Sequence, residues 1–264
     1  MKKEKALVVL SGGQDSTTCL YWALAQGYDV QCVTFDYGQR HKIEIDAARL
    51  IAEKAGVTTE VIELGPILAG TSPLVSSNEL DQYSDMNSLP GGLEKTFVPY
   101  RNQLFLTVAA NRAYVAGINV LVTGVCQEDF GGYPDCRRSF IDSLQQACTR
   151  GSHNGVDGAP GPLRIETPLM FLTKAASVKL AASLAPAPNG STCWDALAYS
   201  HTAYDGKYPP TGHDHATLLR AKGFFEAGLP DPLVLRAVEE GVMDAPGTAN
   251  YDFLRIVAKE AAAS

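Results

Sequence analysis

The sequence predicts an α/β fold: an open, mostly parallel sheet with helices on both faces, followed by a small irregular and helical C-terminal segment. Three observations point there. The first half alternates short, continuous apolar runs with amphipathic stretches over short connections, the pattern of strands buried on both faces and joined by crossover helices. The first apolar run closes in a Ser-Gly-Gly turn that leads directly into a helical pattern. Beyond about residue 185 the sheet periodicity is lost, which divides the chain into an α/β domain over 1–184 and a C-terminal segment over 185–264 packed on it.

The elements follow in order. Residues 6–10 (ALVVL) read as the first strand, and 15–27 as a helix with Cys19, Leu20, Ala23 and Leu24 on one face and Gly27 as its stop. Residues 30–35 and 60–64 read as strands around a helix over 42–55. Residues 65–97 are rich in Ser, Asn, Gly and Pro, and a connection that long in a compact domain is expected to be a lid or a binding segment. The rhythm resumes with a helix over 102–116, a strand over 119–125, a helix over 138–149, a strand over 164–167 and a helix over 173–184, with Thr173 as its cap. Further on, 216–227 and 251–263 read as helices, and 230–264 is expected either to cover the core or to meet a second subunit.

Composition narrows the function. The 264 residues carry 22 basic and 29 acidic groups, a net charge of −7 that disfavours a polyphosphate partner and predicts no nucleic-acid binding. No apolar run approaches the length of a membrane span, and the basic start runs too soon into Gly12 and Gly13 to act as a signal peptide, so a cytoplasmic location is expected. The six cysteines lie at least ten residues apart with no CxxC pair, which predicts reduced thiols, mostly buried.

The strongest local signal is Ser11-Gly12-Gly13-Gln14-Asp15-Ser16-Thr17 after Leu10. Small residues let main-chain N–H groups approach an anion, and a helix N-terminus adds partial positive charge. The lysine of GxxxxGK[ST] is absent and GxGxxG is not present, so the loop is neither of those phosphate sites. By itself the string is also compatible with an ordinary strand-to-helix turn capped by Asp15 or Ser16.

The string SGGxDS resembles the pyrophosphate loop of the ATP pyrophosphatase superfamily, which implies an adenine-nucleotide alpha-hydrolase-like fold. Four further segments resemble the 7-cyano-7-deazaguanine synthases within it. These are Phe35-Asp36-Tyr37-Gly38-Gln39-Arg40-His41, Val98-Pro99-Tyr100-Arg101-Asn102, Gly124-Val125 through Asp129 to Tyr133-Pro134-Asp135-Cys136-Arg137, and Thr167-Pro168-Leu169 with Lys174-Ala175. Together they cover about residues 5–184 in the family's order.

The resemblance implies an ATP-dependent ligase of queuosine-type deazapurine biosynthesis. It would convert 7-carboxy-7-deazaguanine and free ammonia to the nitrile through an adenylated acid, an amide and an adenylated amide. Residues 10–17 would hold ATP, and Asp15, Ser16, Arg101 and Lys174 would carry the catalysis. Phe35, Tyr37, Gln39, Arg40, Arg101, Asn102, Asp129, Tyr133, Asp135 and Arg137 would form the substrate slot, while Asp15 and Asp129 would hold Mg²⁺. A homodimer is expected by analogy with the family. Two alternatives stay open: a related amide-forming ligase acting on another carboxylate, and a non-catalytic nucleotide- or deazapurine-binding protein.

One departure stands out. The family's four zinc-binding cysteines fall on Ala203, Thr211, Asp214 and Thr217, none of which is a cysteine, so zinc is expected to be absent. Either the segment packs without metal, or His201, His213, Asp214, His215 and Cys193 form a substitute site, the alternation of His213 and His215 suiting one face of a strand.

Overall fold

The computed structural model describes residues 3–39, 42–70, 72–75, 81, 83, 96–127, 132–153, 157, 159–203, 206–210 and 212–243. Five parallel strands form one sheet in the order β3-β2-β1-β4-β5: β1 (Lys5–Val9), β2 (Asp29–Asp36), β3 (Thr58–Glu63), β4 (Val120–Val122) and β5 (Arg164–Glu166). The order reverses at β1, so a crevice opens beyond the C-terminal ends of β1 and β4, where open α/β sheets bind their ligands.

Side chains of β1 alternate across the sheet. Ala6 and Val8 enter one core with α1 (Gln14–Ala25) and α2 (Ile43–Ala55), whereas Leu7 enters the other with α3 (Arg101–Val115) and α4 (Arg138–Cys148). Both faces are covered, which is why the strand reads as an unbroken apolar run. Four of the six cysteines are buried, and Cys136 and Cys148 are half-buried; all six are free thiols. No helix among the described residues is long and apolar enough to cross a membrane.

The C-terminal segment is more regular than its periodicity suggests. After α5 (Lys174–Ser183), capped by Thr173, come α6 (Cys193–Leu197), α7 (His215–Ala227) and α8 (Pro232–Glu239). Cys193, Leu197 and Phe224 share a core with Leu20 and Val122, and Leu233 and Val234 are buried, so 232–239 covers the chain's own interior. The expected helix over 251–263 lies outside the described residues.

A buried ion pair holds this segment. Arg220 and Asp231 have side chains only 1% and 4% exposed and meet through two bonds, Nε to Oδ2 at 2.6 Å and Nη2 to Oδ1 at 2.8 Å. Arg220 also donates to Ser200 Oγ at 2.8 Å, Thr202 Oγ1 at 3.0 Å and the Leu197 carbonyl at 3.3 Å. Removing one partner of such a pair strands a charge away from water. Asp231→Asn should therefore cost about 3–5 kcal/mol in urea unfolding. Adding Arg220→Met should restore part of that stability; a double variant no more stable than Asp231→Asn would contradict the stranded-charge account.

Candidate active site

A cavity of about 350 Å³ occupies the crevice. Its floor is the turn from β1 to α1. There Ser16 Oγ receives the Ser11 N–H at 3.2 Å and lies 3.0 Å from Ser11 Oγ, while Thr17 Oγ1 donates to the Gly13 carbonyl at 2.8 Å. Neither Asp15 nor Ser16 is the helix cap; Gly13 takes that place without a side-chain bond, leaving the first N–H groups of α1 turned to the crevice end of the sheet. Leu10, Ser11, Gly13, Gln14, Asp15 and Ser16 line the cavity, whereas Gly12 and Thr17 are buried and do not.

Two glycines let neighbouring chain approach this turn. Gly12 has φ +85°, and a Cβ there would stand 2.3 Å from the Glu44 carbonyl oxygen. A Cβ on Gly124, just past β4, would meet the Asp15 backbone at 3.0 Å. From a third side the His201 N–H donates to the Gly12 carbonyl at 2.8 Å.

Asp15 lies opposite Lys174, the first residue of α5, with Nζ 2.9 Å from Oδ2. Its other oxygen, Oδ1, is enclosed and has no hydrogen-bond partner, and neither has the Gln14 amide nitrogen. Gly223 on α7 gives Lys174 its path, since a Cβ there would lie 2.5 Å from Lys174 Cγ. His215 also lines the cavity, and burial, helped by the Lys174 charge, holds its pKa below the usual histidine range.

On the far wall Phe35, Tyr37 and Phe105 form an aromatic surface, with Phe105 stacked on Phe35 at 4.5 Å and edge-on to Tyr37 at 5.0 Å. Gln39 braces the end of β2 by accepting from the Tyr37 N–H and donating to the Phe35 carbonyl. Arg101, Asn102 and Tyr133 line the same side, Tyr133 held by Thr96 at 2.9 Å and Asn102 donating to Cys136 Sγ at 3.4 Å. Tyr100, immediately before Arg101, has φ +64° and is 72% exposed, a strained conformation for a tyrosine at the start of a helix.

The remaining expected site residues lie elsewhere. Asp135 is buried off the cavity wall; burial pushes its carboxyl up, while the Arg101 charge and hydrogen bonds from Asn102 pull it down. Asp135 thus sits behind the start of α3 as a brace. Arg137 is exposed ahead of α4 and off the cavity wall. Arg40 and Asp129 lie outside the described residues, as does most of 65–97; within that stretch Leu74 reaches the cavity.

The histidine and aspartate group near 201–215 does not converge. His213 and His215 are not in a strand: Asp214 caps α7 and His215 begins it. The His201 ring sits 2.8 Å from the Ala203 carbonyl and His213 Nδ1 lies 3.2 Å from the Tyr83 carbonyl. Among the described residues no group of three or more His, Cys, Asp or Glu is arranged to hold a metal.

Cavity residues that sequence reasoning did not assign to the substrate or ATP include Glu44, Thr202, Leu219 and Arg220. Glu44 reads as an ordinary acidic residue in a helix's first turn, and the others depend on how a distant segment docks.

Known proteins resemble this chain in sequence over most of its length. The family profile described as "Queuosine biosynthesis protein QueC" matches residues 5–228. The 7-cyano-7-deazaguanine synthase of Gloeobacter violaceus is 49% identical over 231 residues, 87% of this chain and 95% of its own. Those of Chromobacterium violaceum and Bacillus subtilis are 48% and 40% identical, over 90% and 86% of this chain and 96% of each of theirs. A solved structure titled as a predicted subunit of tRNA methyltransferase from Methanocaldococcus jannaschii is similar with a TM-score of 0.43 at 21% identity, over 68% of this chain and 74% of that one. With the family profile spanning 5–228 and identities near one half, the chain belongs to the QueC family of queuosine biosynthesis, the ATP-dependent 7-cyano-7-deazaguanine synthases.

Proposed function

We propose that this single cavity performs both ATP-dependent activations that turn the 7-carboxylate of 7-carboxy-7-deazaguanine into a nitrile. In the first, a carboxylate oxygen attacks the α-phosphorus of ATP and pyrophosphate leaves. Ammonia then attacks the acyl carbon, AMP departs and a proton is lost, giving the amide. In the second, the amide oxygen attacks the α-phosphorus of another ATP, pyrophosphate leaves and the nitrogen gives up one proton; loss of AMP with the second proton then leaves the nitrile. No covalent enzyme nucleophile is required, so positioning and charge neutralisation carry the rate.

The observation that carries this reading is Asp15: one oxygen bonded to Lys174 and the other enclosed without a partner, in the first turn of α1 on the cavity wall. An orphaned carboxylate oxygen beside a phosphate cradle fits a hard divalent cation, and Asp15, with Asp129 from outside the described residues, would hold Mg²⁺ there. When bound, Mg²⁺ neutralises charge on the departing pyrophosphate. Lys174 supplies a fixed positive charge to the phosphates, and Arg101 one to the substrate carboxylate. Gln14, Ser11 and Ser16 complete the cradle.

Zinc does not belong to this reading. Ala203 offers no donor atom, and Asp214 and Thr217 are committed to each other: Oδ1 accepts the Thr217 N–H and Oδ2 its hydroxyl, both at 3.0 Å, with both residues buried. A helix cap thus stands where a closed thiolate site would need free ligands. Elemental analysis of the purified protein should find zinc well below one per chain; stoichiometric zinc would refute this part. A cytoplasmic homodimer completes the reading by analogy with the family.

Incubation with the acid, ATP, Mg²⁺ and ammonia, followed by mass, should give nitrile and two AMP per product. Accumulated amide would instead mark a ligase that stops halfway. Asp15→Ala should reduce AMP release by about 10²–10³-fold, as expected for loss of a preorganised charge at the reacting centre. Full activity in that variant would remove the loop from the mechanism. Gly223→Ala should push Lys174 away from Asp15 and lower kcat/KM by about 10–100-fold with the circular dichroism spectrum unchanged.

A further inference from the structure

Two residues with carboxyl groups line the cavity among those described, Asp15 and Glu44. Asp15 is engaged with Lys174 and the phosphate turn. Glu44, on the first turn of α2, has no part in the chemistry above beyond the carbonyl that packs against Gly12.

Its side chain has the features of an unused ligand. Glu44 stands half-buried on the cavity wall, and that burial pushes its pKa up to about 7 against the pull of the Arg101 charge. The carboxyl makes no hydrogen bond with another described residue, and the Arg101 charge acts on it. Glu44 lines the same cavity as the aromatic surface of Phe35, Tyr37 and Phe105, and burial, helped by its charge, pushes the Tyr37 phenol up. A carboxylate on that wall without a hydrogen-bond donor among the described residues is stabilised by a ligand that donates to it.

We propose that Glu44 is the residue that selects the heterocycle, its two carboxylate oxygens accepting the ring N–H and the exocyclic N–H of the substrate's 2-amino-4-oxopyrimidine edge while the ring lies on the aromatic surface. Such an edge offers two parallel donors, the complement of a carboxylate. The amino edge of adenine offers one donor beside one acceptor, and its acceptor would be repelled. The carboxylate therefore sorts the two flat heterocycles that must share one cavity, the substrate and the base of ATP. The proposal rests on the synthase reading of the cavity.

The test compares 7-carboxy-7-deazaguanine with its analogue lacking the exocyclic amine, in the full-length enzyme and in Glu44→Gln. A site built to bond a group rejects the analogue without it, so the wild type should favour the amine-bearing acid by about 100-fold or more in kcat/KM. Glutamine replaces one acceptor with a donor. Glu44→Gln should raise KM for the acid by about 10–100-fold, leave the KM of ATP unchanged, and compress the preference below about 10-fold.

Three outcomes would overturn the proposal: an unchanged preference, a loss confined to kcat, or a loss confined to ATP with new insensitivity to removal of its ribose hydroxyls. Should the variant fail to fold, calorimetric binding of the two heterocycles to the wild type decides, and equal affinities refute the proposal. Wild-type turnover keeps the two claims apart. No nitrile at all would sink the synthase reading and this proposal with it, whereas normal turnover without discrimination would sink only the role of Glu44.

Discussion

The site depends on one packing constraint: a turn of nearly bare main chain must be held in place at the crevice end of the sheet. Ser11, Ser16 and Thr17 tie the turn to itself, but Gly12 and Gly13 carry no side chains to fix it against the layers around it. The structure grips it from three directions: the start of α2 against Gly12, the chain after β4 against Asp15 and Ser16, and His201 bonded to the Gly12 carbonyl. A side chain at Gly12 or Gly124 would force these layers apart. Gly12 and Gly124 thus serve tertiary packing, and the turn keeps its place on the cavity because three remote segments converge on it.

One of those segments is the C-terminal part of the chain, which makes Arg220 more than a local staple. Its fork ties Asp231 at the start of α8 to Leu197, Ser200 and Thr202, and His201 lies between the last two. The His201 bond to Gly12 therefore inherits its position from a buried ion pair two helices away. Buried pairs of this kind do not as a rule add stability over apolar replacements, but they fix register strongly. Register is what a segment without sheet or thiolate anchors requires. The Asp214–Thr217 cap supplies the second fixed point at the start of α7, and Gly223 on the same helix leaves room for Lys174. Loop, lysine and C-terminal helices thus behave as one unit.

What could be read from the sequence follows from the range of the interactions involved. The strands and major helices are legible because their signals are local: continuous apolar runs for strands covered on both faces, and glycine stops such as Gly27. The strand expected over 119–125 ends at Val122 because the chain leaves the sheet to pass close to the start of α1, an approach that only Gly124 permits. Helices α6 and α8 carry local signals after all, Thr192 bonded to the Asp195 N–H and Asp231 ahead of Pro232. They are hidden by the proline- and glycine-rich stretches around them. Asp15, Arg101 and Lys174 are legible through motif resemblance, whereas Glu44 is not. A first-turn glutamate is the commonest complement to a helix dipole, and only the fold reveals that this one faces an aromatic-walled cavity instead of solvent.

The charges inside the cavity complete the argument. The surface is acidic overall, with a net charge of −7, yet Lys174 and Arg101 stand within the cavity opposite Asp15 and Glu44. A cavity lined only with cations would hold ATP and acid tightly before and after reaction alike, and uniform binding does not raise kcat. A carboxylate in the field of each cation, bonded to Lys174 in the case of Asp15, tempers that ground-state grip and lets the two signs divide the work. In the proposed reaction Asp15 and Lys174 would address phosphate, whose charge is redistributed in both activations. Glu44 and Arg101 would address opposite ends of the deazaguanine, the donor edge and the 7-substituent. Of these, only the 7-substituent changes, from carboxylate to amide to nitrile, while the donor edge stays constant. Anchoring by that constant edge gives one cavity a reason to hold both the acid and the amide in the same register for two successive transfers.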